Sequence, residues 1–130
     1  MILIDTDICI EILRGNKAII EKRKNFHEEI AISFMSVAEL FYGAEKSEYR
    51  NKNYILIEEF LLSVNIINSD VVIMKKFGEL KAHLYSTHSI LPDADIFIAS
   101  TALLKCTALV TGNTKHFIRI PGLRIENWKD

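Results

Sequence analysis

The amino-acid sequence predicts an α/β fold, specifically a three-layer α/β/α sandwich built on a central, mainly parallel sheet of four to five strands. Short apolar runs typical of strands buried on both faces alternate with segments whose apolar residues recur at helical spacing. Alternating strands and helices favour parallel strands joined by right-handed crossovers. With 130 residues, of which 49% are hydrophobic, the chain can fill one core without disulfides or a structural metal. We therefore expect a single domain over residues 1–130.

The first half of the chain contains two strand patterns and several helix patterns. Residues 1–4 form a continuous apolar run that ends in an acid, and residues 30–34 form a second run. The clearest amphipathic stripe follows, because Val37, Leu40, Phe41 and Ala44 stand at i, i+3, i+4 and i+7. Helices are expected at 7–14, at 17–26, from Ser36 onward, and at 54–62. Gly15-Asn16 ends the first of these helices.

The second half repeats the alternation. A third strand is expected at 64–67, and Asn68-Ser69-Asp70 resembles a cap for a long helix that ends near residues 86–89. The helix at 93–105 is apolar on most sides and should be the most buried one. A fourth strand is expected at 108–111, a loop or short turn at 112–115, and a short edge strand at 123–125.

Composition limits the setting in which the protein works. The two cysteines, Cys9 and Cys106, lie in apolar neighbourhoods without C-x-x-C pairing, which indicates free thiols in a reducing compartment. The N-terminus has no basic region, and the longest apolar stretch, 96–104, is shorter than the roughly 20 residues of a membrane span. We expect a soluble, cytoplasmic protein without membrane association.

The net charge of −1 excludes a molecule that attracts nucleic acid through its overall charge. Any contact with RNA or DNA must come from local patches. The best patch contains Lys22, Arg23 and Lys24, although a solvated helix face explains this stretch better than a dedicated track for phosphates does.

Three acids stand where a strand hands over to a helix, namely Asp5, Glu39 and Asp95. A parallel sheet presents the carboxyl ends of its strands along one edge, where ligands usually bind. Carboxylates gathered at that edge repel one another and bind a divalent cation such as Mg²⁺ or Mn²⁺ through oxygen. The pattern therefore suggests phosphoester chemistry.

Each acid also has a purely local interpretation. Asp5 or Thr6 can cap the next helix, and Ser36-x-x-Glu39 matches a capping box. Asp93 resembles an N-cap, which leaves Asp95 as the better ligand candidate. Asn113 follows the fourth strand but belongs to a Gly-Asn pair typical of turns. The four histidines lack zinc-ligand spacing, and only His116 lies near the expected pocket, as a possible phosphate contact.

Four ordered blocks of sequence resemble a known family. They are Ile2-Leu3-Ile4-Asp5-Thr6-Asp7, Ser36-Val37-Ala38-Glu39-Leu40 with Gly43-Ala44, Pro92 through Ala99, and Leu109 through Phe117. Together they resemble the PIN-domain ribonucleases, and most closely the VapC toxins of bacterial toxin–antitoxin pairs. The likeness extends from residue 1 to the Asn127-Trp128 ending.

The resemblance implies a metal-dependent endoribonuclease that hydrolyses phosphodiesters of structured RNA, often tRNA. It makes Asp5 and Asp95 the principal Mg²⁺ ligands and Glu39 the third acid, acting directly or through water. Thr6 and Thr111 would orient these ligands. Many family members have a fourth acid where this chain has Asn113, so a second metal would arrive with substrate, and Asp93 would partly compensate.

The resemblance also implies partners. Toxins of this family form homodimers, and an antitoxin peptide inhibits them by covering the acidic groove. Lys22, Arg23 and Lys24 would then meet RNA phosphates beside the pocket.

Two other functions stay open at the level of sequence. Asp5-x-Asp7 after an apolar strand also resembles the opening motif of haloacid-dehalogenase-type phosphatases, in which the first Asp is a nucleophile. Alternatively, Asn113 marks a PIN-like domain that binds RNA or protein without cutting.

Overall fold

A computed structural model describes residues 1–129. Its centre is a five-stranded sheet in the order β3-β2-β1-β4-β5, and every neighbouring pair is parallel. The expected parallel sheet is therefore confirmed. The predicted domain, 1–130, includes Asp130, which lies outside the described residues. The strands are β1 (Ile2–Ile4), β2 (Ile30–Ser33), β3 (Asn65–Ile67), β4 (Leu109–Val110) and β5 (Ile125–Glu126).

Seven helices connect and flank these strands within residues 1–129. They are α1 (Thr6–Leu13), α2 (Lys17–Lys24), α3 (Phe34–Glu45), α4 (Arg50–Leu61), α5 (Val71–Ser86), α6 (Asp93–Lys105) and α7 (Thr114–Phe117). The bounds of α6 agree with the expected helix at 93–105, and six of its residues are buried, as its apolar surface predicted. Asp70 caps α5 by accepting a hydrogen bond from the Ile73 amide.

The helices form two layers because alternate strand residues face opposite sides of the sheet. Ile2 and Ile4 of β1 pack with helices α1 to α4, whereas Leu3 packs with α5, α6 and α7. The amphipathic stripe of α3 faces the first layer, where Leu40 and Ala44 are buried. The three-layer sandwich is thereby confirmed.

Two helix starts differ from the sequence prediction by two residues or more, and the short helix α7 begins inside the loop expected at 112–115. Helix α3 begins at Phe34 instead of Ser36, because Ser33 accepts a hydrogen bond from the Met35 amide and acts as the N-cap. Helix α4 begins at Arg50 inside a polar stretch that lacked a clear start signal. Cys9 is buried, Cys106 is half-buried, and both are free thiols. Within residues 1–129, no helix combines the length and apolar character required to cross a bilayer.

Candidate active site

Asp5 lies at the carboxyl end of β1 and is 6% exposed. Its Oδ1 atom accepts a hydrogen bond from the Thr6 amide at 2.8 Å, so the expected helix cap is present. Its Oδ2 atom accepts from the Thr111 hydroxyl at 2.7 Å, which joins β1 to the end of β4. Burial, followed by the neighbouring Asp7 carboxylate, raises the pKa of Asp5 to about 7. Asp5 is thus more than a cap, because it is a buried acid among like charges.

Glu39 does not belong to a capping box. Because α3 begins at Phe34, Ser36 lies inside the first turn and Glu39 lies in the second. The Glu39 Oε1 atom instead accepts a hydrogen bond from the Thr6 hydroxyl at 2.7 Å. The Ser36 hydroxyl is 2.9 Å from the same Thr6 oxygen. Glu39 is therefore tied to the residue that follows Asp5.

Asp95 lies in the first turn of α6, which follows helix α5 and not a strand as the sequence predicted. Its side chain reaches the residues that follow β4. Its Oδ2 atom lies 2.8 Å from Nδ1 of His116. The same Nδ1 atom lies 2.8 Å from Nδ2 of Asn113. The backbone N–H of Asn113 donates to the Thr111 hydroxyl oxygen at 2.9 Å. A continuous series of contacts therefore links Asp95 to Asp5.

These contacts combine into one network at the carboxyl edge of the sheet. It is built from residues of four separate sequence blocks, which the fold brings together although the chain separates them by up to 111 positions. The sequence-predicted members of this network are Asp5, Thr6, Glu39, Asp95, Thr111, Asn113 and His116.

Asp7 also belongs to this edge, and the sequence analysis gave it no role. Its Oδ2 atom accepts from the Gly112 amide at 2.9 Å and lies 3.5 Å from the Lys129 ammonium. Its Oδ1 atom is buried without a hydrogen-bond partner. The spacing Asp5-x-Asp7 could have indicated this role. A residue two positions after an N-cap lies in the first turn of the helix, and Asp7 there reaches Gly112 at the end of β4.

Other predicted residues lie outside the network. Asp93 is not the N-cap of α6, because Pro92 occupies that position. The Asp93 carboxylate pairs with Lys81 at 2.9 Å, and both side chains are more than half exposed. Lys22 donates to the Trp128 carbonyl, and Arg23 donates to Ser63, so both side chains tether the fold.

The network fits a divalent cation by its chemistry. Asp5 is buried near Asp7 and Asp95, both of which raise its pKa, and Asp7 Oδ1 lacks a partner. Oxygen-rich, negatively charged surroundings of this kind suit a hard cation. Within residues 1–129, however, no three Asp, Glu, His or Cys side chains form a preassembled ligand cluster. Hydrogen bonds from Thr6 and Thr111, and the contact with His116 Nδ1, occupy oxygens of Asp5, Glu39 and Asp95, and a cation would compete for those oxygens.

A groove of about 580 Å³ adjoins this edge between α1, α3 and α4. Thr6 and Glu39 line it beside the network, and Ile10, Leu40 and Ile57 provide apolar walls. Arg14 and Lys46 also line it and add positive charge. The groove is thus mainly apolar, with acidic and basic groups among its walls.

Comparison with known proteins defines the class. The family model of the PIN domain matches residues 2–123. Ribonuclease VapC2 of Haemophilus influenzae is 36% identical over 127 residues, which cover 97% of this chain and 96% of that protein. The tRNA(fMet)-specific endonuclease VapC of Shigella flexneri is 32% identical over 127 residues, which cover 97% of this chain and 96% of that protein.

Solved structures agree with the sequence comparisons. VapBC2 from Rickettsia felis, bound to a DNA fragment from its promoter, superposes with a TM-score of 0.90 at 34% identity, covering 98% of this chain and 99% of the other. DNA-bound VapBC from Salmonella typhimurium superposes with a TM-score of 0.92 at 30% identity. The match covers 98% of this chain and 97% of the other. The chain therefore belongs to the PIN-domain family and, within it, to the VapC ribonucleases.

Proposed function

We propose that this protein is a magnesium-dependent endoribonuclease that hydrolyses RNA phosphodiesters and acts as the toxin of a toxin–antitoxin pair. The observation that carries the proposal is the single network joining Asp5, Glu39 and Asp95 at the carboxyl edge of the sheet in a chain of the VapC family. Three acids that are far apart in the sequence are linked there through Thr6, Thr111, Asn113 and His116. Metal-dependent phosphoryl chemistry requires acidic oxygens at one site, and this linkage supports the proposal.

Asp5 and Asp95 are the principal cation ligands in this proposal, and Glu39 is the third acid. Mg²⁺ would be the physiological ion and Mn²⁺ a substitute. When bound, the cation would act as a Lewis acid that activates water and offsets charge on the phosphate. Thr111 fixes one oxygen of Asp5, and Thr6 fixes one oxygen of Glu39, so both carboxylates are oriented before substrate arrives. The backbone N–H of Asn113 donates to the Thr111 hydroxyl oxygen and so fixes that hydroxyl further.

Structured RNA, and tRNA in particular, is the proposed substrate. The support is the relative from Shigella flexneri, which is named a tRNA(fMet)-specific endonuclease. Lys24, with Lys22 and Arg23 on the same helix, would contact phosphates beside the pocket. Since Lys22 and Arg23 also tether α2 to Trp128 and Ser63, their removal would affect folding as well as binding.

A cognate antitoxin is the proposed protein partner. Similar solved structures include complexes named VapBC, and another is described as a toxin–antitoxin complex from Klebsiella pneumoniae. The groove between α1, α3 and α4 would receive an amphipathic antitoxin segment, because apolar walls lead directly to Glu39. We further propose that the toxin is a homodimer and works in the cytoplasm.

Cleavage of bulk tRNA tests the proposal. The purified protein should cut tRNA when Mg²⁺ or Mn²⁺ is present and should stop when EDTA is added. Asp5→Asn and Asp95→Asn should reduce the rate by at least about 100-fold while the fold persists. Asp93→Asn is the matched control and should cut normally, because Asp93 pairs with Lys81 instead. Binding of tRNA without any cutting would support the non-catalytic alternative.

The comparisons do not favour the phosphatase alternative. The PIN-domain family model matches residues 2–123, and similar proteins are named ribonucleases and endonucleases. Trapping of an aspartyl-phosphate on Asp5 would revive that alternative.

A further inference from the structure

The ring of His116 lies inside the acidic network instead of beside it. Its Nδ1 atom is 2.8 Å from Asp95 Oδ2 and 2.8 Å from the Asn113 side-chain amide. The Asp95 side chain is 18% exposed and that of His116 is 38% exposed, so the contact is partly shielded from water. Phe117, the next residue, is fully buried and anchors α7 in this position.

Hydrogen bonding by one nitrogen cannot satisfy both neighbours as they stand. A protonated Nδ1 donates to Asp95 but then faces the donor NH2 of Asn113, whereas an unprotonated Nδ1 accepts from Asn113 but faces a carboxylate oxygen. Turning the amide by 180° places Oδ1 of Asn113 toward the ring, since the two amide orientations have nearly the same shape. When Nδ1 carries no proton, three atoms with lone pairs then converge, one each from Asp95, His116 and Asn113, whereas a proton on Nδ1 would be shared between the two oxygens.

A cation satisfies such a set directly. Neighbouring ligand atoms around an ion with bonds of about 2.1 Å lie about 3 Å apart. The two distances of 2.8 Å from Nδ1 are close to that separation. Asn113 contributes an amide oxygen, which explains why the set falls short of three Asp, Glu, His or Cys side chains.

We propose that His116 is a nitrogen ligand of the cation held by Asp95, with Asn113 as an oxygen ligand, and that this mixed set makes the site prefer Mn²⁺ to Mg²⁺. The inference rests on the proposed function, because it concerns the same cation. Imidazole nitrogen binds transition metals well, whereas Mg²⁺ favours sets made of oxygen alone. The proposal therefore concerns which ion binds more tightly, and it leaves Mg²⁺-dependent cleavage unchanged.

Pulsed electron paramagnetic resonance of bound Mn²⁺ provides a readout independent of activity. Wild-type protein loaded with Mn²⁺ should show electron spin echo modulation from a directly coordinated nitrogen. In protein grown with ¹⁵N-histidine, the ¹⁴N modulation frequencies should be replaced by those of ¹⁵N. His116→Gln should lose the nitrogen modulation, whereas His83→Gln, a change at an exposed histidine of α5, should retain it.

Competition between metals measures the preference. Wild-type protein should bind Mn²⁺ more tightly than Mg²⁺, and His116→Gln should reduce the Mn²⁺ affinity roughly tenfold while changing the Mg²⁺ affinity less. His83→Gln should match wild type for both ions. If His116→Gln does not fold, the isotope experiment on wild-type protein still decides the question.

The possible failures are distinguishable. Binding of Mn²⁺ that depends on Asp95 but shows no histidine nitrogen would overturn the role of His116 and leave the proposed nuclease standing. Equal Mn²⁺ and Mg²⁺ affinities in wild-type protein would also overturn it. Absence of any binding of either ion would contradict both proposals.

Discussion

The Thr111 hydroxyl donates a hydrogen bond to Oδ2 of Asp5 at 2.7 Å, across 106 positions of sequence. Thr111 is fully buried, and its oxygen also accepts from the Asn113 amide. One hydroxyl therefore connects the end of β1 to the segment that carries Asn113 and His116. The position of the acid cluster depends on this connection.

Thr111→Val should destabilise the protein. Valine has nearly the shape of threonine but leaves the Asn113 amide and one Asp5 oxygen without their partner, which costs about 1–3 kcal/mol. The melting temperature should fall by several degrees. Thr107→Val is the matched control, because the Thr107 hydroxyl is exposed and donates only to the Met1 carbonyl at 3.1 Å. Equal melting temperatures for both variants would contradict the structural role of Thr111.

Asp5 should contribute a loss of stability to the metal-free protein as pH rises from about 4 to about 7. Burial and the neighbouring Asp7 raise the pKa of Asp5 from 3.8 to about 7. In that window the folded state keeps a proton that the unfolded state has released, so the free energy of unfolding decreases as pH increases. Above pH 7 this contribution no longer changes.

Asp5→Asn should remove most of that pH dependence. An asparagine at this position can accept from the Thr6 amide and donate to the Thr111 oxygen, so the fold should persist. Urea unfolding at pH 4.5, 5.5, 6.5 and 7.5 in EDTA measures the slope directly. The account fails on this point if wild type and variant show the same slope.

Asp95→Asn should keep or raise the metal-free melting temperature and reduce the increase on adding Mn²⁺. The substitution removes one of the like charges that act on Asp5 and can still face His116. Differential scanning fluorimetry with and without Mn²⁺ measures both effects. Asp93→Asn, two residues away and paired with Lys81, should keep the full metal-induced increase. An undiminished increase in Asp95→Asn would exclude Asp95 as a ligand.

Gly112→Ala should be destabilising because of the close approach at the end of β4. A Cβ atom at Gly112 would lie 2.8 Å from Asp7 Oδ2 and would also collide with the Lys129 side chain. Asp7 is held by the Gly112 amide itself, so only the lysine can move away. We expect a loss of about 1–3 kcal/mol in the free energy of unfolding.

Two companion variants sharpen the glycine test. Adding Lys129→Ala to Gly112→Ala should restore part of the stability, because it removes one of the two collisions. Gly78→Ala, inside α5 with open space around the new Cβ atom, should stabilise by about 0.5–1 kcal/mol. A neutral Gly112→Ala would mean that Asp7 and Lys129 do not pack on this glycine.

Periodicity predicted much of the fold, since hydrophobic patterns depend on which faces are buried. The parallel sheet and the bounds of α6 followed from it. The start of α3 did not, because Ser33 and Ser36 are both plausible caps. In the structure Ser33 is the last residue of β2, where it pairs with Ile67, and it is also the N-cap of α3. Local sequence does not contain that information.

The site was partly predictable for a related reason. Asp5 follows β1 directly, so a parallel sheet had to place it at the carboxyl edge. Glu39 lies in the second turn of α3 and Asp95 opens α6, which follows α5, so strand ends alone do not explain their positions. Asp7 was missed because its partners, Gly112 and Lys129, lie more than 100 positions away. The contacts of Lys22 with Trp128 are likewise long-range, and a charge run gives no sign of them.

Anomalous diffraction from crystals grown with Mn²⁺ tests the central claim most directly, since it locates the ion independently of activity. The account predicts a peak at the carboxyl edge of the sheet, within about 2.2 Å of oxygen atoms from both Asp5 and Asp95. A peak elsewhere, or no peak at a Mn²⁺ concentration that supports RNA cleavage, would contradict it.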